Sequence, residues 1–121
     1  MATPDLVNVA TINGITGAGA VTTSNADIID AAADKLYKVN VLYVSNVDGT
    51  NDATVSVSVS VDNGSNYYHL AKTVTVPADS TVAVIDKNTA VYLDETDLLR
   101  IVGSANNDLE YVYSLESLDD A

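Results

Sequence analysis

Residues Thr54 to Val61 read Thr-Val-Ser-Val-Ser-Val-Ser-Val, an unbroken alternation of apolar and small polar side chains. A period of two is the signature of an extended strand whose two faces meet different surroundings. Val55, Val57, Val59 and Val61 point one way and need a core, so this strand cannot fold alone. Ser56, Ser58 and Ser60 form the other face, which is flat, small and uncharged. Left bare at a sheet edge, such a strand would invite pairing with another chain. It is therefore expected inside a sheet, with its serine face either wet or covered by a partner.

The rest of the chain follows the same grammar. Asp48-Gly49-Thr50-Asn51-Asp52 and Asp62-Asn63-Gly64-Ser65-Asn66 are turn sequences on either side of this strand, rich in residues that tolerate left-handed backbone. Further strands are expected at Tyr67–Val76, Ser80–Ile85, Thr89–Leu93, Leu98–Val102 and Leu109–Leu115. Pro77 ends the first of these by removing a ladder donor. From Leu36 to Val47 the sequence is nearly continuously apolar and reads as a strand buried on both faces. Asn25 to Asp34 fits either a short helix capped by Asn25 or a strand at Ile28-Ile29. With no Phe, no Trp and seven Tyr, the core must be built from Val, Leu, Ile, Ala and tyrosine, a set that favours pleated surfaces. The expected fold is all-β: an antiparallel β-sandwich, jelly-roll-like, of about eight short strands with turns every 8 to 12 residues or so.

Two segments divide the 121 residues. Residues 1–24 are nearly uncharged and glycine-kinked, and read either as a first strand or as an extended arm reaching a neighbouring subunit. Residues 25–121 form the sandwich domain, and the length suits one domain in all. No basic segment followed by an apolar stretch opens the sequence, so no secretory signal is expected.

Charge narrows the function. The formal net charge is −12, with only Lys35, Lys38, Lys72, Lys87 and Arg100 as cations. Nucleic-acid and anionic-membrane surfaces are bound through clustered cations, so neither is an expected partner. The acids fall mainly in the turns: Asp48, Asp52, Asp62, Asp79, Asp94, Glu95, Asp97 and Asp108. The strand faces are Val, Ser, Thr, Ala and Tyr, surfaces that lose water cheaply against a partner, whereas each buried ion costs several kcal/mol. Turns are also simply where wet residues collect.

Catalytic patterns are missing. His69 lies on an expected strand with no marked nucleophile or orienting carboxylate. Gly14, Gly17 and Gly19 lack the Lys-Ser/Thr of a phosphate loop. With no cysteine, thiolate chemistry and disulfides are excluded. Asp48, Asp52 and Asp62 are candidates for calcium, but their two loops lie at opposite ends of one strand and neither has the EF-hand order. Tyr67 and Tyr68 face opposite sides, so at most one can stack on a sugar. Tyr37, Tyr43, Tyr111 and Tyr113 fall on the inward pattern. The expectation is a non-enzymatic protein without catalytic residues or cofactors.

The run Lys38-Val39-Asn40-Val41-Leu42-Tyr43-Val44-Ser45-Asn46-Val47-Asp48-Gly49-Thr50, then Tyr67-Tyr68-His69-Leu70-Ala71-Lys72, Val74-Thr75-Val76-Pro77-Ala78, Val84-Ile85-Asp86-Lys87, Val91-Tyr92-Leu93, Asp97-Leu98-Leu99-Arg100 and Asp108-Leu109-Glu110-Tyr111-Val112 resembles small all-β structural proteins of tailed-bacteriophage virions. The resemblance covers about residues 36–116 and rests on strand-and-turn patterns. It implies a capsid decoration (cement) protein bound to the capsid exterior, or else a neck, tail or fibre component. It also implies major capsid protein or other virion proteins as partners, and assembly into a virion in the host cytoplasm. A homo-oligomer is expected, a trimer suiting capsid three-fold positions. A calcium-assisted carbohydrate-binding module is the alternative from another class. The interface candidates are Leu6, Val7, Val9 and Ile12 of the N-terminal segment and Ser56, Ser58 and Ser60 of the alternating strand.

Overall fold

A computed structural model describes residues 9–120. Nine strands follow one another: β1 (Val9–Val21), β2 (Ala26–Asp30), β3 (Lys35–Asn46), β4 (Ala53–Ser60), β5 (Tyr68–Val76), β6 (Thr81–Ile85), β7 (Val91–Leu93), β8 (Leu98–Gly103) and β9 (Leu109–Asp120). One sheet has the order β1-β9-β3-β6, with β7 also paired to β3; the other has the order β2-β8-β4-β5. All pairings are antiparallel. The chain passes back and forth between two four-strand paths, the jelly-roll form of the sandwich. The ambiguous segment 25–34 contains a strand, β2.

The core lies between the sheets. Val39, Leu42, Val44, Val55, Val57, Leu93, Leu99 and Leu109 are each fully buried. Long aliphatic side chains interdigitate there without any Phe or Trp, and Tyr37, Tyr111 and Tyr113 close its rim. In β9 the expected alternation holds: Leu109 and Leu115 are buried while Glu110 and Val112 are exposed.

Two readings of the apolar pattern change. β3 is not buried on both faces. A bulge between Val39 and Val41 shifts its register against β9, so the inward set runs Val39, then Leu42, Val44 and Asn46. Odd positions give way to even ones, and an ordinary half-buried strand looks continuously apolar in sequence. The same shift turns Tyr43 outward, where it is 41% exposed, so Tyr43 is not a core residue. At the other site, β4 ends at Ser60, and Val61, beyond it, is 67% exposed rather than inward.

Candidate interaction surface

β4 sits between β8 and β5, an interior strand, and its serine face is covered from within. Ser60 is fully buried. Its hydroxyl donates to Asp62 at 2.8 Å and accepts from the Gly64 N–H at 2.8 Å, so the 62–66 loop folds back over it. Ser58 is 6% exposed, with Arg100 of β8 and His69 of β5 opposite it on either side. Ser56 accepts from the Thr73 N–H at 2.8 Å. That bond braces β5 where it bulges twice against β4 and where Thr73 takes φ 46°. Ser58 and Ser60 therefore have almost no surface left for a partner. Of the three serine candidates, Ser58 and Ser60 are buried under the chain's own loop and edge strand, while Ser56 is half-buried.

Beside Ser58 the outer face of this sheet carries a polar cluster. Asp27 Oδ1 accepts from Tyr67 Oη at 2.9 Å and from Arg100 Nε at 3.2 Å. The Arg100 guanidinium lies 3.6 Å from the centre of the Tyr67 ring, a cation–π contact. Burial and the neighbouring Asp27 carboxylate push the Tyr67 phenol up. The cluster ties β2, β8 and the loop before β5 together, and the Tyr67 ring is thereby engaged by the chain itself.

The acidic loops are likewise self-satisfied. Asp48 accepts from the N–H groups of Thr50 and Asn51 and from the Asn51 amide. Asp62 accepts from Ser60 and from both the backbone and the amide of Asn66. These donors hold both carboxyls below the usual range. Asp52 accepts from the Ala78 N–H at 3.0 Å. Among the described residues, no three His, Cys, Asp or Glu side chains gather closely enough to hold a metal ion. Sequence reasoning missed Asn46, which is 3% exposed and ends β3.

The N-terminal candidates divide. Leu6 and Val7 lie outside the described residues, as does the side chain of Val9. Ile12 is on β1 and 62% exposed. β1 pairs with β9 from Val9↔Asp120 to Val21↔Leu109. It is thus an edge strand of its own sheet, 13 residues long, and no charged residue occurs in it. Val21 is buried, while Thr11 to Thr16, Ala18 and Ala20 are exposed. Gly17 and Gly19 make room for two tyrosine rings: a Cβ on Gly17 would overlap the Tyr113 ring, and one on Gly19 would lie 2.8 Å from the Tyr111 hydroxyl. The two rings stack at 6.1 Å and lie across β1 as a clamp. Burial pushes the Tyr113 phenol up. On the opposite face, Ala18 pairs with Val112 and Ala20 with Glu110. There a shallow hollow of about 350 Å³ is lined by Ala18, Gly19, Ala20, Glu110, Tyr111 and Val112.

The other edges carry protective features. β2 has five residues, two of them Asp27 and Asp30. β5 is bulged and carries His69 and Lys72. The edge opposite β1 is broken into β6 and β7, of five and three residues. β1 is the long edge left plain.

Neither protein-family models nor curated proteins match this chain. A solved structure does. A chain from the work "Bacillus endospore appendages form a novel family of disulfide-linked pili" superposes with a TM-score of 0.54 at 14% identity, over 92% of this chain and 88% of that one. The likeness is one of fold, and it spans both sheets of the sandwich.

Proposed function

We propose that this chain is a non-enzymatic structural subunit that works by adhesion to other protein subunits. The observation that carries this reading is β1: a long, exposed, uncharged edge strand in a chain of net charge −12. Such an edge presents unpaired backbone groups to solvent and is ordinarily blunted unless it is used. The likeness in fold to a pilus subunit supports a building-block role. The pili are described as disulfide-linked; this chain has no cysteine, so its contacts would be made without disulfides.

The setting we favour is the virion of a tailed phage, with the capsid exterior as the position and major capsid protein as the partner, on the strength of the sequence resemblance. Acidic loops would face solvent, and repeated weak contacts on a symmetric lattice would add by avidity. Cryo-electron microscopy of particles from the producing cell tests this. Ordered density for the sandwich on the capsid surface is the expected result. Protein found only free in the lysate, or only on neck, tail or fibre, would overturn the capsid assignment. A subunit of a filament is the second reading, favoured by the fold likeness, and the same images would reveal it.

A further inference from the structure

The edge strand β1 carries an exposed isoleucine near one end and a hollow near the other, both on the same face of the sheet. When two copies of one strand meet antiparallel across a two-fold axis, residues equidistant from the axis stand opposite each other. Even positions then face even positions, and inner and outer faces are preserved. With the axis at Ile15, Ile12 of one copy stands opposite Ala18 of the other; with the axis at Thr16, it stands opposite Ala20. Ile12 is 62% exposed and shares its face of the sheet with Ala18 and Ala20, whose small side chains line the hollow. The two-fold repeats the arrangement, so each copy's Ile12 stands beside the other's hollow.

We propose that this chain forms a homodimer through β1, edge to edge and antiparallel about an axis at Ile15 or Thr16, with Ile12 of each copy seated over the Ala18–Ala20 hollow of the other. The pairing joins two five-stranded sheets into one continuous sheet. The fit of Ile12 to the Ala18–Ala20 hollow under the two-fold names a second copy as the occupant, and the charge pattern leaves β1 as the edge where that copy can be met. Two chains of net charge −12 repel one another, and β1 offers 13 residues over which they meet without bringing any strand charge together. Edge-to-edge contact through the five-residue β2 would crowd the Asp27 and Asp30 carboxylates of two copies together, and the bulges of β5 disrupt a straight ladder. This inference rests on the reading of the chain as an assembling subunit and names the partner and its seat.

Sedimentation of the full chain at micromolar concentration tests it, with a dimer expected. Ile12→Lys should raise the dimer dissociation constant about tenfold or more and leave the circular dichroism and melting temperature nearly unchanged, since Ile12 is exposed. Ala83→Lys, on the opposite edge, should leave the dimer intact. Because the chain has no cysteine, Ile15→Cys and Thr16→Cys provide an independent measurement: the variant nearer the axis should give a covalent dimer on mild oxidation. A monomer up to about 100 μM, a trimer, an open ladder of larger species, or a dimer broken by Ala83→Lys and not by Ile12→Lys would each overturn the proposal. A solution monomer that is nonetheless found in particles would remove the dimer and leave the structural role standing.

Discussion

At Asn46 a single amide holds three pieces of backbone. Its Nδ2 donates to the carbonyls of Asn51 and Val76, each at 2.9 Å, and its Oδ1 accepts from the Asp48 N–H at 2.9 Å. Asn46→Ala should cost about 2–3 kcal/mol, because the Val76 carbonyl is left buried without that donor; urea denaturation measures it. The glycines of β1 offer a contrast. Gly17→Ala must displace the Tyr113 ring and should destabilise by about 1–3 kcal/mol. Gly14→Ala meets nothing within 4 Å and should be neutral or stabilise by about 0.5 kcal/mol. Thr73 is β-branched at φ 46°, a strained conformation, so Thr73→Gly should raise stability by about 1 kcal/mol. Asn46 was not legible from sequence, since a buried asparagine and a turn asparagine are written alike. The turn role of the Asp and Asn residues was legible, because short polar side chains bonding to nearby N–H groups need only local geometry.

At the scale of elements, the 62–66 loop is bound to β4 through Asp62 and Ser60. The carboxyl of Asp62 is held below its ordinary value, first by the Asn66 amide and backbone and then by Ser60. Its bonds therefore stabilise the fold fully above the unfolded-state pKa, and that contribution is lost as pH falls through the lower folded-state value. The stability gap between the parent chain and Asp62→Ala should be widest at neutral pH and narrow as pH falls below the ordinary carboxylate range, as thermal melts carried into acid will reveal. Asp97 works in the opposite direction. It is 8% exposed, and burial pushes its carboxyl up, against the Asp94 N–H that stabilises the charge. Its ionised form opposes folding above the folded-state pKa, so Asp97→Asn should be neutral or stabilising at pH 7. Segment 25–34 fits a helix as well as the strand β2 that it contains, whereas the positions of the strands from β3 onward could be read from turn residues and period-two patterning. The parity of β3 could not, because a bulge is set by its partner strand and leaves no local signature.

For the whole molecule, charge and shape act together. A net charge of −12 keeps copies apart at low ionic strength, and salt shortens that repulsion to about 10 Å at 0.1 M. Self-association should therefore strengthen as salt rises from about 10 mM to about 0.5 M, the opposite of an interface held by ion pairs; sedimentation over that range distinguishes them. The two ion pairs among the described residues, Lys35–Asp119 at 2.9 Å and Arg100–Asp27 at 3.2 Å, lie within the chain. Both are partly exposed and contribute modestly to stability.

The sequence by itself determined that this chain is an all-β sandwich with wet acidic turns and an aliphatic core, because side-chain alternation and turn chemistry are local properties that any fold must respect. It also marked the nearly uncharged N-terminal segment and the uncharged Thr54–Val61 strand as two stretches of unusual kind. Which of them is left open at a sheet edge was decided by the tertiary structure alone. β4 became an interior strand whose Ser58 and Ser60 are buried under the chain's own loop and edge, and β1 became the edge whose outer side nothing among the described residues covers. Strand order is a long-range property: it depends on which strands meet across the sandwich, and two stretches of similar composition acquire opposite roles from where the chain places them.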